Sequence, residues 1–380
     1  MGLQAGILAS LSSRPLLRRD AAADGLQWLP AALVFGSIGA VAYADSIATS
    51  VSLGYLYFLP LGISAIVWRR QISYALVVVC VFLHDLFGPS YPNSAARITH
   101  NLSALVGFTF VVYVIHRYVE QKEQLDKRVR EQRDQLLQDV ELAARVQRMF
   151  LPIHRPSIAG LEIAGMMQPV RGVGGDYYDY IPIDEHTIQI VIADVAGKGV
   201  PAALLMSATA AAVQLEASDK RDMLEVVDRL NSGIHSVSEG NRYVTLLLAN
   251  IDAQSRSLRY VNCGHNPALL FQAKTHDVVP MNSSCFPVGM FDSAGCEIKK
   301  ADLAAGDILV LYTDGITEAE NPQGEEFGME RLSTLIQRSY MLSADGLMNN
   351  ILETATDFCR EVGFNDDVTI LVVKCNFNGV

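Results

Sequence analysis

Residues 188–207 read IQIVIADVAGKGVPAALLMS. The aliphatic run Ile188–Ala193 predicts a strand, and it ends in Asp194, just before the glycine-bearing stretch VAGKG. Such a run aims a carboxylate out of a sheet edge, and glycine lets backbone or an ion approach closely. Gly197 and Gly199 shape the loop, and Pro201 suits the first turn of a helix predicted over Pro201–Leu215. Three further strings repeat the pattern. Asp176 follows Gly174-Gly175 in VGGDYYDY, Asp314 ends ILVLYTDG, and Asp366 precedes a strand in FNDDVT.

One aspartate beside glycine is ordinary turn chemistry. Four at strand ends are different, because carboxylates meeting at one sheet end repel strongly unless a cation neutralises them. Oxygen ligands without Cys or His select hard ions, Mg²⁺ or Mn²⁺.

Working outward, strand-like runs stand at Leu161–Met167, Tyr243–Ile251, Ser257–Val261, Asp307–Tyr312 and Val368–Val373. Helical patterns stand at Arg221–Ser232 and Ala344–Val362. Strands often follow one another directly, with turns such as Asn262-Cys263-Gly264 between them. That order predicts an α+β fold of antiparallel sheets with helices packed outside, rather than a repeating parallel β/α fold. Tyr177, Tyr178 and Tyr180 read as sheet packing. His265 reads as a residue that buttresses a turn, and Lys198 as solvent-facing or as a substrate contact.

The 380 residues are 50% hydrophobic and 19% charged, which is too apolar for an ordinary soluble chain. The excess falls in the first 117 residues. A net charge of −11 argues against nucleic acid as partner, because phosphate backbones select basic faces. The six cysteines form no C-x-x-C pair, so neither a zinc site nor a disulfide framework is predicted. Those outside the apolar region fit a reducing, cytoplasmic compartment.

Four apolar stretches open the chain, at Trp28–Ala44, Val51–Trp68, Ile72–Phe87 and Leu102–His116. Each is near the roughly 17–25 residues that cross a hydrocarbon core. Their number, and the lack of a small-residue cleavage site, separate them from a signal peptide. Arg14, Arg18 and Arg19 precede the first stretch, Arg69 and Arg70 follow the second, and Arg117 and Lys122 follow the fourth. The positive-inside bias then predicts a multi-pass membrane protein with both termini in the cytoplasm. His84 and Asp85 close the third stretch. They read either as a wet outer interface or as a ligand site.

From Tyr118 to Phe150 the chain is charged and free of Gly and Pro. Leu125, Val129, Leu136, Ala143, Val146 and Phe150 recur at spacings of three and four, the seam of a coiled coil that would make a homodimer. Gln132 and Asp139 share that seam and would weaken it. The alternative is a single amphipathic helix lying on the next domain. The chain is thus divided into a membrane domain (1–117), a helical linker (118–150) and a domain that carries the four aspartates (151–376).

The strings VGGDYYDY, DVAGKGVPAALLMS, VNCGHNPALL, LYTDGITEAENPQGEEFG and NDDVTILVV resemble the PPM-type metal-dependent protein phosphatases. More narrowly, they are similar to the bacterial SpoIIE/RsbU-like branch. The resemblance covers about Leu142–Lys374 and begins with ELAARVQRMFLP. It implies a two-sheet antiparallel sandwich flanked by helices, with two Mn²⁺ or Mg²⁺ ions at one end. It also implies that Asp194 bridges both ions. Asp176 and the backbone carbonyl of Val195 would hold one, and Asp314 and Asp366 the other, with Asp367 the neighbour that could replace Asp366. Arg171 stands where some members grip the substrate phosphate. Ala196 occupies the position where other branches carry a His.

The function implied is hydrolysis of phosphoserine or phosphothreonine on a partner protein, by a water activated between two cations. The usual partner in the branch is a phosphorylated STAS-type anti-sigma-factor antagonist. Two other readings compete: a catalytically inactive module that binds a phosphoprotein, and a transporter or receptor. All four metal-string aspartates are present, against the first, and the apolar stretches carry little charge for a solute path, against the second. No cysteine phosphatase loop, Walker string or kinase HRD and DFG set appears.

Overall fold

The computed structural model describes residues 28–48, 53–88, 90–170, 172–218, 222–238 and 242–377. It divides into two compact units, with the break between Arg133 and Asp134.

In the first unit, α1 (Leu29–Ile47) is followed by a 3₁₀ turn (Gly54–Tyr57) and α2 (Phe58–Val67). Then come α3 (Arg70–Phe87) and α4 (Ser94–Arg148). Val34, Ile38, Leu61, Val77, Cys80 and Phe108 form its core. The outside is apolar too: Phe35, Val78, Phe82, Val106 and Phe110 are exposed. A bundle apolar on both its inside and its outside is compatible with a membrane domain.

The four expected spans do not map one to one onto long helices. The second is a 3₁₀ turn and a ten-residue helix, shorter than a bilayer crossing. Conversely, Val200–Ala217 is long and apolar enough to cross a membrane. It nevertheless packs Ala202, Met206, Ala210 and Val213 into a globular core. The wet-interface reading fails for His84, which is 1% exposed and bonded to the buried Asp45. Asp85 is half-buried and held by Arg97 and Asn101.

Helix α4 runs 55 residues without a break, through the expected linker. The absence of Gly and Pro after Tyr118 permits this, and pairs such as Lys127–Glu131 and Glu141–Arg145 support it. Leu125, Val129, Leu136 and Val146 are exposed. Within the second unit, a different face of the helix, Val140 and Ala144, packs on Val173 and Ala203, and Gln147 is buried beside it. In these last turns the helix lies on the next domain.

The second unit is a sandwich of two antiparallel five-stranded sheets. The first has the order β1 (Leu161–Gln168), β10 (Val368–Cys375), β9 (Ile308–Tyr312), β6 (Ala268–Gln272), β7 (Asp277–Met281). The second has the order β2 (Asp176–Pro182), β3 (Thr187–Val195), β4 (Val244–Asp252), β5 (Ser257–Cys263), β8 (Lys299–Asp302). Helices α5 (Val200–Ser218) and α6 (Met223–Ser238) cover the second sheet, α8 (Gly328–Ser339) and α9 (Ala344–Cys359) the first. A one-turn α7 (Asp314–Thr317) follows β9.

Side chains alternate along each strand, so β3 sends Ile188, Ile190 and Ile192 between the sheets. Val191, Ala193 and Val195 face the helices instead. Both faces are buried, which is why the run reads as continuously apolar. Tyr178 and Tyr180 enter the core between the sheets, and Tyr177 faces α5 and α6.

The expectation of no disulfide is corrected. Cys285 and Cys296 are bonded, and Cys263 Sγ lies 3.3 Å from Cys285 Sγ. Spacing in sequence hides this, because the two cysteines are 11 residues apart and meet where the Phe286 N–H donates to the Ala294 carbonyl.

Candidate metal centre

Two pairs of neighbouring strands supply the carboxylates, one pair from each sheet. Asp176 opens β2 directly opposite Asp194, near the end of β3. Asp314 follows the end of β9, and Asp366 and Asp367 precede β10, the neighbour of β9. The sheets are tied together here by Thr313 and Thr369. Their hydroxyls donate to Asp176 Oδ2 at 2.8 and 2.6 Å. These two threonines, which sequence reasoning missed, hold a carboxylate that is 2% exposed.

Glycine makes the approach feasible. A Cβ at Gly175 would lie 3.2 Å from the Val195 carbonyl oxygen and 3.5 Å from Asp194 Oδ1. At Gly315 it would lie 2.0 Å from the Asp367 carbonyl oxygen. Gly197 and Gly199 have φ of 110° and 79°, the left-handed side that glycine alone enters freely. Those two residues turn the chain from β3 into α5.

The adjacent carboxylates at 366 and 367 have different surroundings. Asp367 Oδ1 accepts the Val170 N–H and Oδ2 the Gly175 N–H, each at 2.8 Å. Asp366 Oδ2 instead lies 2.6 Å from Lys198 Nζ, which also donates to the Asn365 carbonyl at 3.2 Å. Lys198 is thus fixed to a candidate ligand rather than directed only at solvent. Arg171 lies outside the described residues.

Electrostatics report the crowding. Burial, then Asp194, pushes Asp176 well above the usual carboxylate range. Burial, then Asp314 and Asp366, pushes Asp194 up to about 7. Asp314, Asp367 and Glu318 are raised as well, in each case chiefly by burial. Glu318 is a further carboxylate of this cluster that the motifs did not single out. Oxygen donors at mutually unfavourable distances, held on rigid strand ends, suit hard divalent cations and no softer metal.

His265 stands behind the site. Its Nδ1 lies 2.8 Å from Thr245 Oγ1, which in turn donates to the Asp194 carbonyl at 3.3 Å. Burial pushes the imidazole down to about 4, so it is neutral at physiological pH. It braces β3 and β4, in line with the turn-buttress reading.

The sandwich and its carboxylate end define a PP2C-type phosphatase domain. Residues 184–376, just over half of the chain, match the family described as Stage II sporulation protein E (SpoIIE). The chain belongs to that family. Asp194, Asp314, Asp366 and Asp367 fall inside the matched span, and Asp176 lies just before it.

Among relatives, the phosphoserine phosphatase RsbU of Bacillus subtilis is 27% identical over 288 residues, 75% of this chain and 82% of RsbU. The phosphoserine phosphatase RsbP of the same organism is 28% identical over 186 residues, 47% of this chain and 45% of RsbP. Among solved structures, the SiaA-PP2C domain of Pseudomonas aeruginosa aligns with a TM-score of 0.56 at 22% identity. That match covers 65% of this chain and 98% of the domain. The RsbU and RsbW domains of Rv1364c from Mycobacterium tuberculosis align with a TM-score of 0.53 at 24% identity, covering 61% and 64%. These likenesses establish the fold.

Proposed function

We propose that the chain is a membrane-anchored, metal-dependent phosphatase acting on phosphoserine or phosphothreonine of a regulatory partner protein. The observation that carries this is the meeting of Asp176 and Asp194 with Asp314 and Asp366 across the two sheets. In this reading Asp194, Asp176 and the Val195 carbonyl, with Asp314 and Asp366, would hold two Mn²⁺ or Mg²⁺ ions, Asp194 contributing to both. When bound, the ions supply Lewis acidity that activates water toward phosphorus and neutralises the phosphoryl oxygens.

The chain's own residues then position and shield. Thr313 and Thr369 fix Asp176, Asp367 ties the loop at Gly175, and His265 and Thr245 hold the strand that carries Asp194. Lys198, beside Asp366, supplies positive charge for an incoming phosphate, and Arg171 is the second cation assigned to it in this reading. No side chain in this arrangement serves as a covalent nucleophile. The domain division is 1–117, 118–150 and 151–376, and the observed break between compact units falls within the linker.

Regulation through α4 fits one contact in particular. Gln147 Nε2 donates to the Gly174 carbonyl at 2.6 Å, and its Oε1 accepts the Gly174 N–H at 3.1 Å. The end of the long helix is therefore bonded to the residue two before Asp176. The exposed seam of α4 supports a homodimer, and the apolar helices support anchoring in a bacterial inner membrane. For partner, the reading is a phosphorylated STAS-type anti-sigma-factor antagonist. A serine-phosphorylated STAS protein, incubated with full-length enzyme and with enzyme lacking residues 1–117, tests this. Release of phosphate at a rate that differs between the two supports the proposal. Phosphate that stays on the STAS protein while a generic phosphopeptide is cleaved rules out that partner.

A further inference from the structure

The apolar unit contains a polar site that phosphate hydrolysis does not use. Asp45 is the one charged residue between Asp24 and Arg69, and it is 1% exposed, as is His84. Asp45 Oδ2 lies 2.8 Å from His84 Nδ1, while its Oδ1 accepts the Leu53 N–H at 2.9 Å. A carboxylate in that position keeps the imidazole proton on Nδ1 and presents the Nε2 lone pair on the opposite edge. His100 Nε2–H donates to that nitrogen at 2.8 Å, a hydrogen bond whose proton a bound cation would replace. Both imidazoles border a cavity of about 230 Å³, walled also by Phe58, Ser103 and Phe108.

The backbone around His84 is cut to its ring. A Cβ on Gly54 would lie 2.3 Å from His84 Cε1, and one on Gly88 would lie 3.3 Å from the same atom. Two buried oxygens nearby, Tyr91 Oη and Asn101 Oδ1, have no hydrogen-bond partner among the described residues. The Tyr91 ring packs 5.1 Å from that of His100, and Asn101 is the next residue in α4. Ionisable groups inside an apolar bundle are costly, so a trio of them is a functional feature by default.

Two convergent imidazole nitrogens, one backed by a carboxylate, form the donor set of a first-row transition metal. We propose that His84 and His100 ligate a divalent transition-metal ion of the Zn²⁺ type, with Asp45 orienting His84. The cavity leaves space for water to complete the set. This centre is separate from the aspartate cluster in ligand chemistry as well as in place: nitrogen donors here, oxygen donors there.

That contrast gives the test. Full-length protein in detergent, stripped with chelator, is titrated with Cu²⁺ as probe and followed by electron paramagnetic resonance. Imidazole ligation produces nitrogen superhyperfine structure, which aspartates cannot. The expected result is a nitrogen-coupled signal in the wild type that is lost in His84→Asn and in His100→Asn. Asp45→Asn, which keeps both imidazoles, should weaken Cu²⁺ and Zn²⁺ affinity about 10–100-fold. Absence of a nitrogen-coupled signal in wild type overturns the proposal. If His84→Asn fails to fold, the half-exposed His100 decides: a folded His100→Asn protein that keeps the signal and the affinity also overturns it.

Discussion

Asp366 and Asp367 are chemically identical neighbours, and their replacement should have opposite consequences. Asp367 accepts two backbone N–H groups, from Val170 and Gly175, each at 2.8 Å. A hydrogen bond to a charged group contributes about 1.5–3 kcal/mol. Removing the carboxylate in Asp367→Ala should therefore lower the opening free energy of each amide by about that amount. Since 1.4 kcal/mol is a factor of ten, amide exchange at Val170 and Gly175 should speed up roughly 10–150-fold. Part of the loss is offset, because Asp367 also repels Asp194. Asp366→Asn should leave those two amides unchanged and abolish metal-dependent turnover. Hydrogen exchange on the metal-free protein, with phosphatase assays alongside, reads both. If Asp366→Asn keeps its metal-dependent turnover while Asp367→Ala loses it with unaltered exchange, the roles are reversed and the reasoning fails.

Three further outcomes are expected. Asp176 and Asp194 have folded pKa values raised above the ordinary carboxylate range, so the folded metal-free protein holds protons that the unfolded chain has lost. Its stability should fall as pH rises from about 4 to about 7 and saturating Mn²⁺ should remove that slope, measured by denaturant unfolding across the window. Gly315→Ala forces a Cβ to within 2.0 Å of a backbone oxygen, and should cost about 1–3 kcal/mol or more with loss of turnover, checked by thermal melting and assay. Gln147→Ala unhooks α4 from Gly174, leaves a buried N–H and carbonyl unpaired, and should lower kcat together with a stability loss of about 1–3 kcal/mol, read by assay and thermal melting. An unaltered kcat would remove that contact from any regulatory role.

Much of the sandwich was legible in the sequence because both faces of each sheet are covered. β3, β9 and β10 read as largely apolar runs for that reason, interrupted by Gln189 in β3 and Thr369 in β10, and the aspartates beside them stood out. β2 was not read as a strand, since DYYDY carries two acids; Asp179 is buried yet bonded to Tyr177 and Gln214. β7 and β8 are sheet edges with Pro280, Lys299 and Lys300, which hide the strand pattern. The threonines that hold Asp176 were invisible for a different reason. They come from 137 and 193 residues away, so only the folded chain reveals them. The Asp45–His84 pair, 39 residues apart, is of the same kind. The Lys198–Asp366 contact likewise depends on two loops that meet only in the fold.

The most direct test is hydrolysis of p-nitrophenyl phosphate by the purified protein with Mn²⁺, with Mg²⁺ and with EDTA, beside an Asp194→Ala control. A metal-dependent phosphatase built on these aspartates should turn over with Mn²⁺ or Mg²⁺, stop in EDTA, and be silent in the control whatever metal is added. Turnover that survives EDTA or the loss of Asp194 would contradict it.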